Sequence, residues 1–266
     1  MTSLNEIREN WEGFAQTDPL WAICVDHTKR SRGWTQEEFF ATGEQEISRI
    51  MEYVRSLGLS PVNSDVALDF GCGVGRLTSA LSQYFAKCWG VDISHTMIQL
   101  AKDFHKNNSR CSFSLNEVDH LHQFEDGFFG FIYTSITLQH IPKRYVQNYL
   151  LEFIRLLKPD GIFIFQIPDQ DRRGILLRVE NYVGLKRRLK RLMRMLIGKR
   201  IGTLRMDMNC FPEKKIRELL SSQNVRIVDV KLTNSAEGSF NGDLQFLDRA
   251  PEGRHVSKQY CVVKKV

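Results

Sequence analysis

Between Val66 and Asp92 the chain sets two carboxylates around a run of glycines: Asp69-Phe-Gly71-Cys72-Gly73-Val-Gly75, and then Asp92. Glycines spaced in this way allow main-chain conformations closed to other residues and let a ligand come up against the backbone. A carboxylate about 20 residues beyond such a loop can accept both hydroxyls of a ribose. A dinucleotide is the first ligand to weigh, and two details argue against it. The spacing is G-x-G-x-G, and Arg76 stands where G-x-G-x-x-G has its third glycine. Asp69 also precedes the loop, where its charge would repel a pyrophosphate yet can hold an ammonium group, directly or through water. The pattern suits a ligand with an amino acid end, a ribose and a base but no phosphate. A tight turn with no ligand is the blander reading, and it accounts poorly for strand, loop, helix, strand and acid in that order.

Other reactive side chains carry less. His140 is a candidate general base. Its alternative role is to pack or hydrogen-bond its own loop. His120 and His122 have the look of a metal pair but lack a third ligand at a sensible spacing, so a solvated loop is expected and no metal site is assigned. Cys72 suits the loop by its small size. The six cysteines never occur as C-x-x-C, which fits reduced thiols better than disulfides or zinc.

These residues need elements to hold them. Val66–Phe70, Lys87–Val91, Cys111–Leu115, Phe129–Tyr133 and Gly161–Ile167 read as five strands, with Val225–Val230 and Gln259–Val263 as a sixth and seventh. Helical spacing falls between them, over Leu77–Phe85, after the cap Ser94, and over Tyr145–Leu157, where Lys158-Pro159 closes the helix. A further helix starts at Phe211-Pro212-Glu213. The expected fold is α/β: a seven-stranded, mostly parallel sheet with helices on both faces, whose ligand sits at the carboxyl ends of the strands. One domain is expected over 1–266. It comprises a helical N-terminal extension (1–60), a core (61–168), a basic helical insertion (169–209) and the C-terminal part of the sheet (210–266).

Four stretches, in order, carry a family resemblance. Val66–Thr78, "VALDFGCGVGRLT", resembles motif I of the class I (Rossmann-like) S-adenosylmethionine-dependent methyltransferases, and Gly90–Ala101, "GVDISHTMIQLA", their second motif. Phe129–Pro142, "FGFIYTSITLQHIP", is similar to their fourth strand and following loop, and Leu156–Phe165, "LLKPDGIFIF", to their fifth-strand motif. With the strands these stretches pin between them, the resemblance covers roughly residues 35–168. The resemblance implies S-adenosylmethionine (SAM) as cofactor and S-adenosylhomocysteine as product. It implies that Asp69, Gly71, Cys72, Gly73 and Gly75 hold the methionine part, and Asp92 the ribose. Ile93 and Met97 would flank the adenine, Asn116, Glu117 and Val118 would meet its edge, and Thr134 would line the methyl-transfer cleft. Two positions depart from the family pattern: Phe129-Gly130 replaces Phe-Asp, and Leu157-Lys-Pro-Asp160-Gly161 replaces Leu-Lys-Pro-Gly-Gly. The resemblance also implies that the N-terminal extension covers the cofactor, with Trp34–Glu44 nearest to it.

The acceptor is less legible. Transfer of a methyl from a sulfonium needs alignment and water exclusion more than acid–base groups, so no catalytic motif is obligatory. The expected acceptor is a small molecule or a glycan- or lipid-linked intermediate, methylated on oxygen or nitrogen. The alternatives are RNA or protein methylation and a SAM-binding protein without catalysis. Net charge is +6, yet nine Lys/Arg and no acid lie between Asn181 and Met206, leaving 28 basic and 31 acidic residues elsewhere. Leu185, Leu189, Leu192 and Leu196 recur at helical spacing among these cations, so Lys186 to Arg200 is expected as a basic amphipathic helix. It would face an anionic membrane surface or a nucleic acid. The start, Met1 to Asn10, lacks the apolar core of a signal peptide, and no apolar run approaches about 18 residues. A cytoplasmic protein with a peripheral membrane contact is expected. Oligomeric state is not encoded in any of these residues.

Replacing Arg187, Arg188, Arg191 and Arg194 with Gln tests the basic segment. SAM affinity should hold, while binding to anionic liposomes or RNA falls and loses its salt dependence. A wild type that ignores both at low salt would reduce the segment to a solvated face.

Overall fold

The computed structural model describes residues 3–31, 33–61, 65–171, 206, 208–236, 240–251 and 255–266. The expected basic helix, Lys186 to Arg200, lies outside them.

Helix α1 (Leu4–Thr17) is started by a capping box in which Ser3 and Glu6 exchange side-chain and backbone bonds. Asp18 caps the short α2 (Pro19–Ile23). Thr35 and Glu38 form a second capping box at the start of α3 (Gln36–Ser56). The sheet strands and helices then alternate: β1 (Val66–Phe70), α4 (Arg76–Leu81), β2 (Lys87–Asp92), α5 (His95–Phe104), β3 (Cys111–Leu115), β4 (Phe129–Thr134), α6 (Lys143–Leu156) and β5 (Leu157–Asp171). After them come α7 (Glu213–Ser221), β6 (Val225–Thr233), β7 (Phe246–Leu247) and β8 (His255–Lys264).

The sheet runs β3-β2-β1-β4-β5-β8-β6-β7. The first five strands in that order are parallel, and β8, β6 and β7 add antiparallel pairs. Strand order reverses between β1 and β4, which opens a crevice at their carboxyl ends. The sheet has eight strands against the seven expected. The extra one, β7, pairs only Leu232 with Leu247 and Thr233 with Phe246. Two residues cannot show an alternating pattern, and Phe246 is held there by a tertiary contact, its ring 4.7 Å from that of Tyr53.

Both faces of the sheet are covered. Leu68, Phe70, Phe163, Phe165 and Tyr260 pack under Tyr149, Leu150 and Phe153 of α6. On the other face Ala67, Phe131, Tyr133 and Ile164 meet Ile47, Ile50 and Val54 of α3 and Leu77, Ala80 and Leu81 of α4. A smaller cluster of Phe14, Ala22, Cys24, Phe39, Val74 and Met97 binds the N-terminal helices to the core. All six cysteines are free.

The two departures from the family pattern have local explanations. At Gly130 an added Cβ would lie 2.0 Å from Asp65 Oδ2. Asp65, from the turn before β1, occupies that space and pairs with Lys158 at 2.6 Å. The acid is therefore supplied from the turn before β1. Asp160 takes φ +58°, the left-handed conformation for which glycine is the usual residue. It lies where β5 bulges: from Phe129 to Phe131 β4 advances two residues while β5 goes from Leu157 to Ile162. The helix stops at Leu156 and the strand begins at Leu157, ahead of the Pro159 expected to separate them.

Arg76 has a structural task that its place in the loop did not reveal. It is 1% exposed, and its Nη2 donates to Glu46 Oε2 on α3 at 2.7 Å, while Tyr133 Oη of β4 donates to Glu46 Oε1 at 2.8 Å. Gly43 lets α3 approach, since a Cβ there would lie 2.5 Å from the Arg76 carbonyl oxygen. Glu46→Ala should destabilise the chain by about 3–5 kcal/mol, because it leaves a buried guanidinium without its counter-charge. In the cycle of wild type, Glu46→Ala, Arg76→Met and Glu46→Ala/Arg76→Met, the double variant should lose clearly less than the sum of the single losses. Urea denaturation of the four proteins measures both, and additive losses would mean that the pair is not coupled.

Candidate functional site

A cavity of about 320 Å³ lies at the carboxyl ends of β1, β2 and β4. Its floor is the loop after β1. Gly71 (φ +77°) donates its N–H to Val91 O at 2.7 Å, and a Cβ there would run into Thr137 at 2.2 Å. Gly75 (φ +86°) starts α4 in the left-handed conformation. Both positions exclude side chains, for conformation and for space.

Asp92 closes the loop from β2. Its Oδ2 accepts the Gly73 N–H and its Oδ1 the Ser94 N–H, each at 2.9 Å. A carboxylate has about four lone-pair positions, so Asp92 can accept a further donor beside these. Burial pushes the Asp92 carboxyl up, and the N–H groups of Ser94 and Gly73 work against it. Next to it Ser94 caps α5, with its Oγ accepting the Met97 N–H. Asn116 ends β3. Its Nδ2 donates to Val118 O at 2.7 Å, whereas its Oδ1 is buried and has no hydrogen-bond partner among the described residues. An orphaned acceptor of this kind is costly unless something completes it.

The roof is α1. Leu4, Ile7 and Trp11 fall on one face and line the cavity. Glu12 fastens the helix: it accepts from Ser94 Oγ (2.6 Å), from the Thr96 N–H (3.2 Å) and from Thr96 Oγ1. Burial raises the Glu12 carboxyl, and these bonds outweigh it to leave a net lowering. Arg8 reaches Glu117 at 2.7 Å. Beyond β4, the turn Leu138–His140 brings Gln139 and His140 to the cavity, with the His140 ring 5.2 Å from that of Trp11.

Of the residues singled out in the sequence, Gly71, Gly73, Asp92, Ile93, Met97, Asn116 and His140 line this one cavity. The rest do not. Asp69 lies beneath the loop, 1% exposed, and accepts from Thr78 Oγ1 at 2.6 Å. Cys72 is buried, with its Sγ turned to the Gly73 carbonyl. Gly75 caps α4. Glu117 is engaged with Arg8, and Val118 is exposed. Thr134 is fully buried and donates to Phe70 O at 2.9 Å, so Ile136 and Thr137 take the place expected of it. Trp34–Glu44, expected nearest the cofactor, contributes nothing to the lining: Trp34 packs on Phe39 and donates to Cys24 O. The helix that does cover the site announces itself by Ser3-x-x-Glu6 and by apolar residues at 4, 7 and 11, a capping-box signal that sequence reasoning passed over. His120 and His122 stack on each other at 3.9 Å on the surface.

Residues 68–165 match a family model described as a methyltransferase domain. Over 150 residues the chain is 27% identical to a ubiquinone biosynthesis O-methyltransferase of Nitrosococcus oceani, covering 56% of this chain and 61% of that protein. Over 127 residues it is 31% identical to a demethylmenaquinone methyltransferase of Lactobacillus johnsonii, covering 46% and 51%. The matches thus span between half and three fifths of these relatives. Among solved structures, magnesium protoporphyrin IX methyltransferase from Synechocystis with bound SAH superposes with a TM-score of 0.60 at 16% identity. It covers 99% of this chain and 100% of that one.

The position of Asp69 generates a pH test. Burial pushes its carboxyl up to about 7, against the Thr78 hydroxyl and the Arg76 charge, which pull it down. The ordinary value is about 4. Between these limits the folded chain holds a proton that the unfolded chain has lost, so Asp69 withdraws stability as pH rises. The stability of Asp69→Asn relative to wild type should grow from about pH 4 to about pH 7 and then level. A flat difference over that window, by urea denaturation without ligand, would mean that Asp69 is ionised throughout in the folded chain.

Proposed function

We propose, from the methyltransferase-domain match over residues 68–165 and the class I fold, that the chain is an S-adenosylmethionine-dependent methyltransferase and methylates a hydroxyl of a neutral, largely apolar small molecule. The observation that carries this reading is the single cavity. It joins the glycine loop, Asp92 and the orphaned Asn116 Oδ1 to an apolar wall that contains His140.

The residues on the β1–β3 side fit the cofactor. Asp92 has room for a further donor such as a ribose hydroxyl. Asn116 Oδ1 needs a donor, which the amino group of an adenine supplies. Ile93 and Met97 offer apolar flanks, and the glycines at 71 and 73 leave space against the main chain. SAM, when bound, supplies a methyl on a sulfonium that leaves as a neutral thioether. The chain's part is alignment, water exclusion and the proton. Trp11 and the rest of α1 cover the site, and His140 takes the hydroxyl proton as the acceptor oxygen gains its methyl.

The acceptor class follows from the lining. Leu4, Ile7, Trp11, Val25, Met206 and Phe240 face the cavity, with Thr137, Gln139, His140 and Ser235 as the polar side chains outside the cofactor side. No lysine or arginine among the described residues lines it. A sugar brought here would leave most of its hydroxyls unpaired, at roughly 1–3 kcal/mol each. A flat or isoprenoid-like molecule with one or two hydroxyls would not, and thioethers adapt to such surfaces. The names of the two relatives, enzymes of quinone synthesis, agree with this choice. Nucleic-acid or protein methylation is the second reading, favoured by the charge of residues 181–206. No described helix is long and apolar enough to cross a membrane.

Asp92→Ala should weaken SAM by at least about tenfold by calorimetry, the loss of one to two charged hydrogen bonds. Unchanged affinity would sink the ribose assignment. In a labelled-methyl screen of cell extract, label should enter the organic-extractable small-molecule pool. Label in nucleic acid or protein would favour the second reading, and no turnover with any pool would leave a SAM-binding protein without catalysis.

A further inference from the structure

Ile136 sits in the left-handed region at φ +51°. A β-branched residue is a genuine outlier there, and such strain persists only where neighbours hold it. The holder is Gln166 on β5, fully buried, whose Oε1 accepts the Ile136 N–H at 2.9 Å. This bond has a consequence at a distance. A main-chain N–H can only donate, so it fixes which end of the Gln166 amide is oxygen. The Nε2 end must then face Gln139 Oε1 at 3.2 Å and Ser257 Oγ at 2.6 Å. With its oxygen engaged in that bond, Gln139 presents its own Nε2 to His140 Nε2 at 3.2 Å. An imidazole nitrogen that faces an N–H donor must be the one without a proton.

We propose that Gln166 and Gln139 form a positioning relay that sets the tautomer of His140, keeping the imidazole neutral with its proton on Nδ1 and its lone pair on Nε2. The relay gives Ile136 a purpose: the strained peptide is the fixed point from which two amides and one ring take their orientation. Protonated on both nitrogens, the ring would set one N–H against another, so the relay opposes the form of His140 that cannot accept a proton. It rests on the reading of His140 as the proton acceptor, and it adds which nitrogen accepts: the Gln139 N–H holds the Nε2 lone pair and must give it up when a hydroxyl donates there. Gln139 and His140 both line the cavity, so a hydroxyl entering it can displace the Gln139 N–H from Nε2. The second branch of the relay ends there too. Ser257 Oγ is 3.0 Å from Ser235 Oγ, and Ser235 is a lining residue.

The test reads the ring itself. The imidazole nitrogen resonances of His140 in the full chain, labelled with ¹⁵N-histidine, are assigned by their loss in His140→Asn. In wild type at neutral pH the Nε2 resonance should lie at the unprotonated position and Nδ1 at the protonated one. Gln139→Glu, nearly the same shape, replaces a donor by an acceptor and should move the proton onto Nε2. Turnover of this variant should fall about tenfold or more, with SAM affinity kept within about twofold. Gln166→Leu removes one amide and frees the other, that of Gln139, and should replace the single tautomer by an averaged signal. A wild-type ring protonated on Nε2, or a Gln139→Glu spectrum like that of wild type, overturns the relay, and the second result decides even if Gln166→Leu does not fold. If the tautomer is as assigned but His140→Ala turns over like wild type, the relay stands and the base reading alone falls.

Discussion

Taking a guanidinium and a carboxylate out of water together is tolerable only while each keeps the other, and the arrangement around the site hangs on one such pair. Arg76 and Glu46 are 1% and 0% exposed. Arg76 is the first residue of α4, next to the last loop glycine. Glu46 lies midway along α3, and its second oxygen takes the Tyr133 hydroxyl from β4. Three elements distant in sequence are thus fixed by two charges that cannot separate without stranding one of them. The glycine loop inherits its place from this, and so does the turn after β4 that carries His140.

The cofactor side and the covering helix are joined differently. Glu12 binds the start of α5 through Ser94 and Thr96, where the exposed N–H groups of a helix favour a negative charge. The other attachment of α1, Arg8 to Glu117, is 38% and 44% exposed on its two sides and so is screened by water and salt. Glu12 is therefore the stronger fastening. It is strengthened further because the same Ser94 also caps α5 and donates its N–H to Asp92, tying α1, α5 and β2 into one polar junction. Around that junction the cavity is apolar, and polar groups enter it in a few fixed positions. This is how a site orients a ligand that offers little to hydrogen-bond.

Much of this was legible in the sequence, and for a definite reason. A glycine loop between a buried strand and a helix is a local requirement: it is imposed by backbone angles within a dozen residues, and the residues that satisfy it must stand in the right order. The same holds for β1 and β3, whose ends fall where the pattern put them, and for the Ser94 cap. The extra strand β7 and the start of β5 were not legible, because a two-residue pairing and a bulge are set by partners elsewhere in the sheet.

What only the tertiary structure decided is the chemistry next to the glycine loop. Asp69 reads like a ligand-binding acid, yet the packing of α4 puts it under the loop with Thr78 as its partner. The apolar wall is assembled from residues near 4–11, 136–140, Met206, Met208 and Phe240, which no periodicity connects. The orientation of the His140 ring passes through bonds between residues 27, 30 and 91 positions apart. Composition and spacing record what each residue can do. Which of its hydrogen-bonding atoms is left facing the cavity depends on donors and acceptors brought up by other strands, and that is settled only when the sheet closes.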